Sequence, residues 1–258
     1  MNGFLRISSN PLISVVMPVH NGERYIEKSI RSVIMQTYDN LELIVIDDLS
    51  TDSTEKIVKD LCEEDKRVIY IKNSQNIGTA RSRNRGLEQS KGDYVAFLDA
   101  DDMWKPEKLK VQLQKLESKK ADLVYSSYEI VNEDGETSKA AYIVPEKVTF
   151  EDLLKENIIG CSTVILSAEI AKKYRFAEDY YHEDYCLWLD LLRDGYKVVG
   201  CSELLVKWRL ITNSRSFNKF NSASYRWKIY REYLDLSLIK SMRLFFCYFI
   251  GGMKKYYS

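Results

Sequence analysis

Three aspartates fall within four positions, at Asp99, Asp101 and Asp102, directly after the apolar run YVAFL. Carboxylates this close repel one another, and the repulsion disfavours the charged form of each. An acidic turn after a strand is one explanation, because aspartate is common in turns and at helix starts. A bound cation is the other. Asp99 and Asp101 alternate along an extended segment and so face one direction, where they would hold Mg²⁺ or Mn²⁺ together with diphosphate oxygens.

A second acidic pair, Glu183 and Asp184, precedes the amphipathic segment YCLWLDLL. A carboxylate at this place could serve as a general base. It could equally stabilise the free N–H groups at the start of a helix. The spacing of the residues leaves both explanations open.

Polar residues also accompany the first two apolar runs. ISVVMPV contains Pro18 and leads into His20 and Asn21, and LELIVIDD ends in Asp48. In an open sheet of parallel strands, ligands bind at the carboxyl ends of the strands. Asp48 could accept hydrogen bonds from a ribose or a base there, or it could cap the helix that follows.

Three arginines, Arg81, Arg83 and Arg85, stand two positions apart in a polar helical segment. On a helix this spacing spreads the side chains over a wide arc, so one or two of them would face the ends of the strands. There they would neutralise a diphosphate. The alternative is a basic helix face in contact with solvent.

The apolar periodicity predicts alternating strands and helices. Compact apolar runs predict strands at 13–19, 41–48, 67–73, 94–99 and 121–127. Three- and four-residue spacing of apolar residues predicts helices at 23–36, 50–64, 78–92 and after Pro106, with a hairpin near 132–136, a helix and then a strand over 183–200, and helical structure from about 220. Such alternation with short connections is typical of a parallel, doubly wound sheet.

The composition is that of an ordinary globular protein, with 45% apolar and 29% charged residues among 258. A formal net charge of +0 argues against a protein that binds nucleic acid through its phosphates. Five cysteines without paired spacing are typical of reduced thiols in a cytoplasmic protein. The first residues lack the apolar core of a signal peptide, and the longest apolar run, 244–253, is too short to span a bilayer.

The charge is distributed unevenly along the chain. Residues 215–258 contain nine Lys or Arg against two acids, so they carry +7 and the first 214 residues carry −7. A basic and aromatic segment of this kind could attach the protein peripherally to the inner face of the cell membrane. It could instead pack its aromatic residues on the rest of the protein or on a partner subunit, which leaves an oligomer open.

Three stretches together resemble one family. They are ISVVMPVHNGERYIEKSIRSVIMQTYDNLELIVIDDLSTDST, NIGTARSRNRGLEQSKGDYVAFLDADDMWKPEKL and HEDYCLWLDLL, and they cover about residues 12–200. They closely resemble the family 2 glycosyltransferases with the GT-A fold. The later part of the chain is similar to bacterial glycosyltransferases of cell-surface polysaccharide assembly, the teichuronic acid type among them.

The resemblance implies a fold and a domain organisation. The fold would be a Rossmann-like, mostly parallel central sheet flanked by helices. A catalytic domain would cover 1–214, with its nucleotide-binding half over about 12–127 and its acceptor half over about 128–214. A helical extension would follow over 215–258.

The resemblance also assigns roles at the donor end of the site. Pro18, His20 and Asn21 would line the nucleotide pocket. Asp48 would hydrogen-bond the uracil or the ribose, and Arg83 would approach the diphosphate.

Further roles concern the metal and the proton transfer. Asp101 would be the main ligand of Mn²⁺ or Mg²⁺, and Asp99 would lie nearer the ribose. Asp184 would be the catalytic base, with Glu183 as its neighbour.

The implied reaction moves a sugar from a nucleotide-diphosphate sugar, a UDP-sugar by preference, to a hydroxyl of a glycan or lipid-linked acceptor. One displacement would invert the anomeric centre, and cell-envelope or capsular polysaccharide would be the product. The chain lacks a Gln-x-x-Arg-Trp signature after Asp184, so we expect transfer of single sugars and no polymerisation.

Two rival functions remain open from the residues alone. A sugar nucleotidyltransferase also uses an α/β sheet and an acidic metal site, but it would need a glycine-rich phosphate loop where PVHNGERY has one glycine. A non-enzymatic nucleotide-binding or receiver-type module would leave the HEDYCLWL region unexplained. GxGxxG and Walker A motifs are absent, which argues against a dinucleotide cofactor and a P-loop.

Overall fold

One nine-stranded sheet runs through the part of the chain that the structure describes. The computed structural model describes residues 10–211 and 219–257. Its strands are β1 (Ile13–Val19), β2 (Leu41–Asp47), β3 (Val68–Lys72), β4 (Tyr94–Phe97), β5 (Met103–Trp104), β6 (Leu123–Val131), β7 (Thr137–Tyr142), β8 (Ile165–Ser167) and β9 (Val198–Arg209). They lie in the order β3-β2-β1-β4-β8-β6-β9-β5, and β7 pairs with β6.

The sheet is mostly parallel. β1 pairs in parallel with β2 and β4, β2 with β3, and β6 with β9, and these four ladders are the longest. Each antiparallel ladder joins three residue pairs or fewer. All seven residues of β1 are buried, because the strand has a neighbour on each side and a helical layer on each face. The predicted Rossmann-like, mostly parallel sheet is therefore confirmed.

Helices cover both faces of the sheet. They are α1 (Ile26–Ile34), α2 (Thr54–Glu64), α3 (Thr79–Gln89), α4 (Lys108–Lys119), α5 (Phe150–Lys155), α6 (Ala168–Lys173), α7 (Glu183–Arg193), α8 (Lys219–Lys228) and α9 (Leu238–Tyr257). A 3₁₀ turn covers Cys161–Thr163 and a π-helical turn covers Ile229–Tyr233. Apolar residues of α1, α2 and α4 pack on one face of the sheet, and those of α3, α5, α6 and α7 on the other.

Helix α3 lies unusually close to the central strand. A Cβ atom added at Gly86 would stand 2.3 Å from Cγ1 of Val16 on β1. Any larger residue there would push the helix off the strand. This close contact fixes the height of α3 above the sheet, and α3 is the helix that carries Arg83.

The predicted elements lie within a few residues of their predicted bounds, apart from β9, which was predicted to end at residue 200 and continues to Arg209. Two further differences are informative. β4 ends at Phe97, so the prediction of an extended strand through Asp99 is wrong. The chain turns there instead, and the N–H of Asp102 donates to the carbonyl of Asp99 at 3.1 Å. The second difference concerns the shortest elements. The strands β5 and β8 and the helices α5 and α6 were not predicted, because segments this short show too little periodicity.

The hairpin and the C-terminal helices follow the predictions. The N–H of Asn132 donates to the carbonyl of Glu136 at 3.0 Å and closes the turn between β6 and β7. The boundary proposed between residues 214 and 215 lies outside the described residues. Beyond it α8 and α9 are helical, as expected. Over the residues described, no helix is both long enough and apolar enough to cross a membrane.

Candidate active site

A cleft of about 690 Å³ opens at the carboxyl ends of β1 and β4. Its walls include almost all of the residues that the sequence singled out, which are Pro18, His20, Asn21, Arg83, Asp99, Asp101, Glu183 and Asp184. The fold brings together the end of β1, the turn after β4 and the start of α7, although Pro18 and Asp184 are about 166 positions apart in the sequence. Asp48 does not line the cleft, and of the three arginines Arg83 lines it while Arg81 and Arg85 do not. Arg81 pairs with Glu178 at 2.8 Å, and Arg85 donates to the carbonyl of Lys72 at 3.1 Å.

The three aspartates after β4 have separate environments. Asp102 is buried, and its carboxylate accepts a hydrogen bond from the hydroxyl of Ser162 at 2.6 Å and from the N–H of Arg209 at 2.9 Å. The N–H of Asp99 donates to the same Ser162 hydroxyl at 3.1 Å. Asp102 therefore ties the acidic turn to the 3₁₀ turn and to β9, and it does not lead into a helix.

Asp101 combines partial burial with a like charge nearby. Burial and, second, the charge of the neighbouring Asp99 carboxylate together raise its pKa to about 6. A cation beside the pair would relieve both penalties, so these two carboxylates suit a divalent ion. Within 10–211 and 219–257 no three His, Cys, Asp or Glu side chains form a group that could hold a metal ion. Other ligands would have to come from a bound diphosphate or from water.

Arg83 links the two acidic clusters. Its guanidinium is 5% exposed and donates to Oε1 of Glu183 at 2.6 Å and to Oδ1 of Asp99. It also lies 5.3 Å from the centre of the Phe176 ring, and its Nε is buried without a partner. One side chain from α3 thus fixes the start of α7 against the turn after β4.

Asp184 is half-buried in the first turn of α7. Burial and the Glu183 charge raise its pKa to about 7, and the Arg83 charge partly offsets them. Its Oδ1 accepts the N–H of Tyr185 at 2.7 Å, and its carboxylate lines the cleft. A carboxylate with a pKa near neutrality can take a proton and release it at physiological pH.

The loop after β1 is held by local hydrogen bonds. Nδ1 of His20 donates to the carbonyl of Asp48 at 2.9 Å. Asn21 has a φ of 52°, a conformation that asparagine tolerates better than most residues. Its side-chain oxygen accepts the N–H of Thr51 at 2.8 Å, and its own N–H donates to Ser50 at 2.9 Å. The loop is therefore shaped before any ligand arrives.

Asp48 has a different position from the one expected. It is buried, and its carboxylate accepts hydrogen bonds from the side chain of Asn73 at 2.8 Å, the N–H of Ile77 at 2.8 Å and the N–H of Gly78 at 2.7 Å. It caps no part of α2, the helix that follows it. Asp48 instead orders the segment that leads into α3, so its role toward a base or ribose stays a prediction.

Sequence reasoning missed two residues that organise the cleft. Arg209 is buried on β9, and it donates to the carbonyl of Asp101 at 2.8 Å and to that of Glu133 at 2.6 Å. Tyr181 lines the cleft and stacks on Tyr225 of α8, with ring centres 4.3 Å apart. Their partners are about 40 to 110 positions away along the chain, and no local sequence pattern predicts contacts between residues so far apart.

Fold and site together define a class of protein. A mostly parallel sheet with an acidic cleft at the carboxyl ends of its strands is the arrangement of a nucleotide-dependent enzyme. Residues 14–175 match the family model described as Glycosyl transferase family 2. The chain belongs to this family and is a glycosyltransferase, which confirms the resemblance and sets aside both rival functions.

Relatives match along nearly the whole chain. TuaG of Bacillus subtilis (strain 168), named as a teichuronic acid biosynthesis glycosyltransferase, is 36% identical over 245 residues, which are 95% of this chain and 97% of TuaG. WfgD of Escherichia coli is named as a UDP-Glc:α-D-GlcNAc-diphosphoundecaprenol β-1,3-glucosyltransferase. It is 35% identical over 247 residues, which are 95% of each protein.

Solved structures support the fold. The crystal structure of Staphylococcus aureus TarS 1–349 in complex with UDP-GlcNAc superposes with a TM-score of 0.71 at 20% identity. The match covers 92% of this chain and 71% of that one. The expected GT-A fold is therefore confirmed.

Proposed function

We propose that this glycosyltransferase moves one sugar from a UDP-sugar to a hydroxyl of a glycan or lipid-linked acceptor in cell-envelope or capsular polysaccharide synthesis, with inversion. The observation that carries the proposal is Asp184, a carboxylate with a raised pKa on the wall of the cleft that also contains Asp99 and Asp101. The acceptor class rests on WfgD, whose name specifies a diphosphoundecaprenol-linked GlcNAc.

The proton transfer assigns a role to Asp184. An acceptor hydroxyl is a weak nucleophile at neutral pH, and the ionised Asp184 takes its proton as the oxygen attacks the anomeric carbon. The bond from the anomeric carbon to the diphosphate oxygen breaks as the new bond forms. The nucleoside diphosphate leaves with the electron pair, and the single displacement inverts the centre.

Arg83 and the acidic turn act on the leaving diphosphate. The Arg83 guanidinium stabilises negative charge on the diphosphate, and its contacts with Asp99 and Glu183 hold it in position. Asp101, with Asp99 beside it, would hold Mn²⁺ or Mg²⁺. The ion supplies positive charge to the leaving diphosphate when it is bound.

The loop after β1 forms the nucleotide end of the site. Pro18, His20 and Asn21 line the cleft there. We expect these residues to contact the base or the ribose. Asp48 acts on the same end by fixing Ile77 and the segment before α3, and direct contact with the nucleotide would require it to exchange one of its present donors.

The test is a donor panel followed by one substitution. Nucleotide-sugars are screened for protection against thermal unfolding, and the strongest is assayed for transfer to a GlcNAc-diphospho-lipid. Asp184→Asn should bind UDP as the unsubstituted protein does and lose transfer by roughly 10²–10⁴-fold. Retention of transfer would remove Asp184 from the role of base. Protection by no nucleotide-sugar would contradict the donor assignment.

A location follows from the acceptor class. A cytoplasmic enzyme that uses an undecaprenol-linked acceptor must reach the inner face of the cell membrane. We propose that residues 215–258 make this peripheral contact.

A further inference from the structure

Helix α9 has two different faces over the residues whose side chains are described. Its inner face packs on the protein through Ser241, Leu244 and Phe245. Its outer face exposes large apolar side chains, which are Leu238 at 53%, Ile239 at 77%, Met242 at 50% and Phe246 at 68%. The three- and four-residue spacing of these side chains aligns them along one side of the helix.

Contacts with α5 hold α9 against the rest of the protein. Lys240 on α9 forms an ion pair with Glu151 of α5 at 2.8 Å. The hydroxyl of Tyr230, in the π-helical turn before α9, donates to the carbonyl of Leu154 at 2.5 Å. These contacts therefore fix the orientation of the apolar stripe, which consists of Leu238, Ile239, Met242 and Phe246, relative to the rest of the protein.

The stripe is concentrated as well as exposed. Eight large apolar side chains are exposed over the described residues, and four of them lie within nine positions of α9. Met35, Leu49, Ile143 and Leu210 are the others, and they are scattered over the sequence. Single exposed apolar residues are ordinary, whereas a contiguous group indicates a binding surface.

Charge identifies what this surface binds. Arg243 is exposed between Met242 and Phe246, and the segment from 215 to 258 carries +7 while the rest of the chain carries −7. An apolar stripe with cations beside it suits the boundary between headgroups and acyl chains in an anionic bilayer. A protein partner would have to be both apolar and acidic to fit as well.

We infer that the outer face of α9 binds an anionic lipid bilayer. The inference deepens the membrane contact of the proposed function and gives it a defined surface. Contacts lead from the inner face of the same helix to the cleft. Phe245 of α9 contacts Trp227 of α8 edge to face at 5.5 Å, and Tyr225 of α8 stacks on Tyr181 at the cleft wall. Binding through α9 therefore holds the cleft at a fixed position relative to the lipid.

The test measures co-sedimentation with vesicles of phosphatidylglycerol and phosphatidylcholine, beside vesicles of phosphatidylcholine alone. The unsubstituted chain should bind the anionic vesicles, and added salt should weaken the binding. The double variant Met242→Glu/Phe246→Glu should bind the anionic vesicles at least about tenfold more weakly. It places two acids on the outer face of α9, which would enter the bilayer. Met35→Glu, at a side chain that is also 68% exposed but lies on α1's end, is the matched control and should bind normally.

Three outcomes would overturn the inference. The first is that the unsubstituted chain fails to sediment with anionic vesicles. The second is that the double variant sediments as well as the unsubstituted chain. The third is that the outer face of α9 is the contact between two copies of the chain. The last would appear as a dimer that the double variant breaks, with no vesicle binding by either. Thermal protection by the nucleotide-sugar checks that each variant is folded. Transfer to a water-soluble acceptor separates this inference from the proposed function, because loss of membrane binding leaves that reaction intact.

Discussion

With Asp184 as the proposed base, the pH dependence of transfer should follow from the environment of its carboxylate. Its pKa of about 7 results from burial and from the charge of Glu183, with Arg83 acting in the opposite direction. A base must be deprotonated to work, so transfer rises with pH through the pKa. With a pKa of 7 the ionised fraction is roughly 0.1 at pH 6 and 0.9 at pH 8, which is a roughly tenfold increase in rate.

Substitution of Glu183 tests the cause of that pKa. Glu183→Gln removes one negative charge beside Asp184 and keeps an oxygen that can accept the hydrogen bond from Arg83. Both the lost repulsion and the less neutralised guanidinium favour ionised Asp184. The acidic limb of the profile should therefore move to lower pH, and the rate ratio between pH 8 and pH 6 should fall well below tenfold.

The assay is single-turnover transfer from pH 5.5 to 8.5, because product release could hide the proton transfer at steady state. Glu178→Gln is the matched control. Glu178 also pairs with an arginine of α3, Arg81 at 2.8 Å, but it does not line the cleft. Its profile should keep the original acidic limb. An unshifted limb in Glu183→Gln, or an equal shift in Glu178→Gln, would refute the electrostatic account of Asp184.

Three further predictions concern the metal, the packing of α3 and the contact with α8. EDTA should abolish transfer and Mn²⁺ or Mg²⁺ should restore it, with Asp101→Asn needing more metal for half-maximal rate; indifference to EDTA would contradict the metal assignment. Gly86→Ala should destabilise the fold by about 1–3 kcal/mol in urea unfolding, because its Cβ would overlap Val16; an unchanged midpoint would show that α3 can shift freely. Tyr225→Ala should lower transfer by loosening Tyr181 while Tyr225→Phe retains it, and equal rates in both variants would disprove the bracing role.

The sheet could be predicted from the sequence because its central strands are buried on both faces. β1 and β2 read as unbroken apolar runs, and their observed bounds agree with the prediction to within one residue. The end of β4 was misjudged because nothing in FLDADD marks the point where pairing stops. Hydrogen bonds from the turn to Ser162 and Arg209 decide it, and those residues are distant in sequence.

The candidate site could be predicted as a set of residues but not as a set of contacts. Residue type and position at a strand end identified Asp99 and Asp101, and the family resemblance identified Asp184. All three line one cleft. Position at a strand end also favoured Asp48, which does not line the cleft and whose carboxylate accepts hydrogen bonds from three donors 25 to 30 positions away. Its role toward the nucleotide stays a prediction. A local pattern shows that a carboxylate is near the end of a strand, whereas its direction depends on which donors the fold brings to it.

The charges of the cleft give a physical reason for a cation. Among the described residues that line it, five are acidic and Arg83 is the one Lys or Arg. Arg83 is already shared between Asp99 and Glu183, so it offers limited positive charge to a further anion. A donor diphosphate would add negative charge to a site where burial and repulsion already raise the pKa values of Asp101 and Asp184. A divalent ion beside Asp101 would remove this conflict, because it would attract the acidic turn and the diphosphate at the same time. A bound metal and nucleotide-sugar would therefore offset the repulsion among the crowded aspartates after β4.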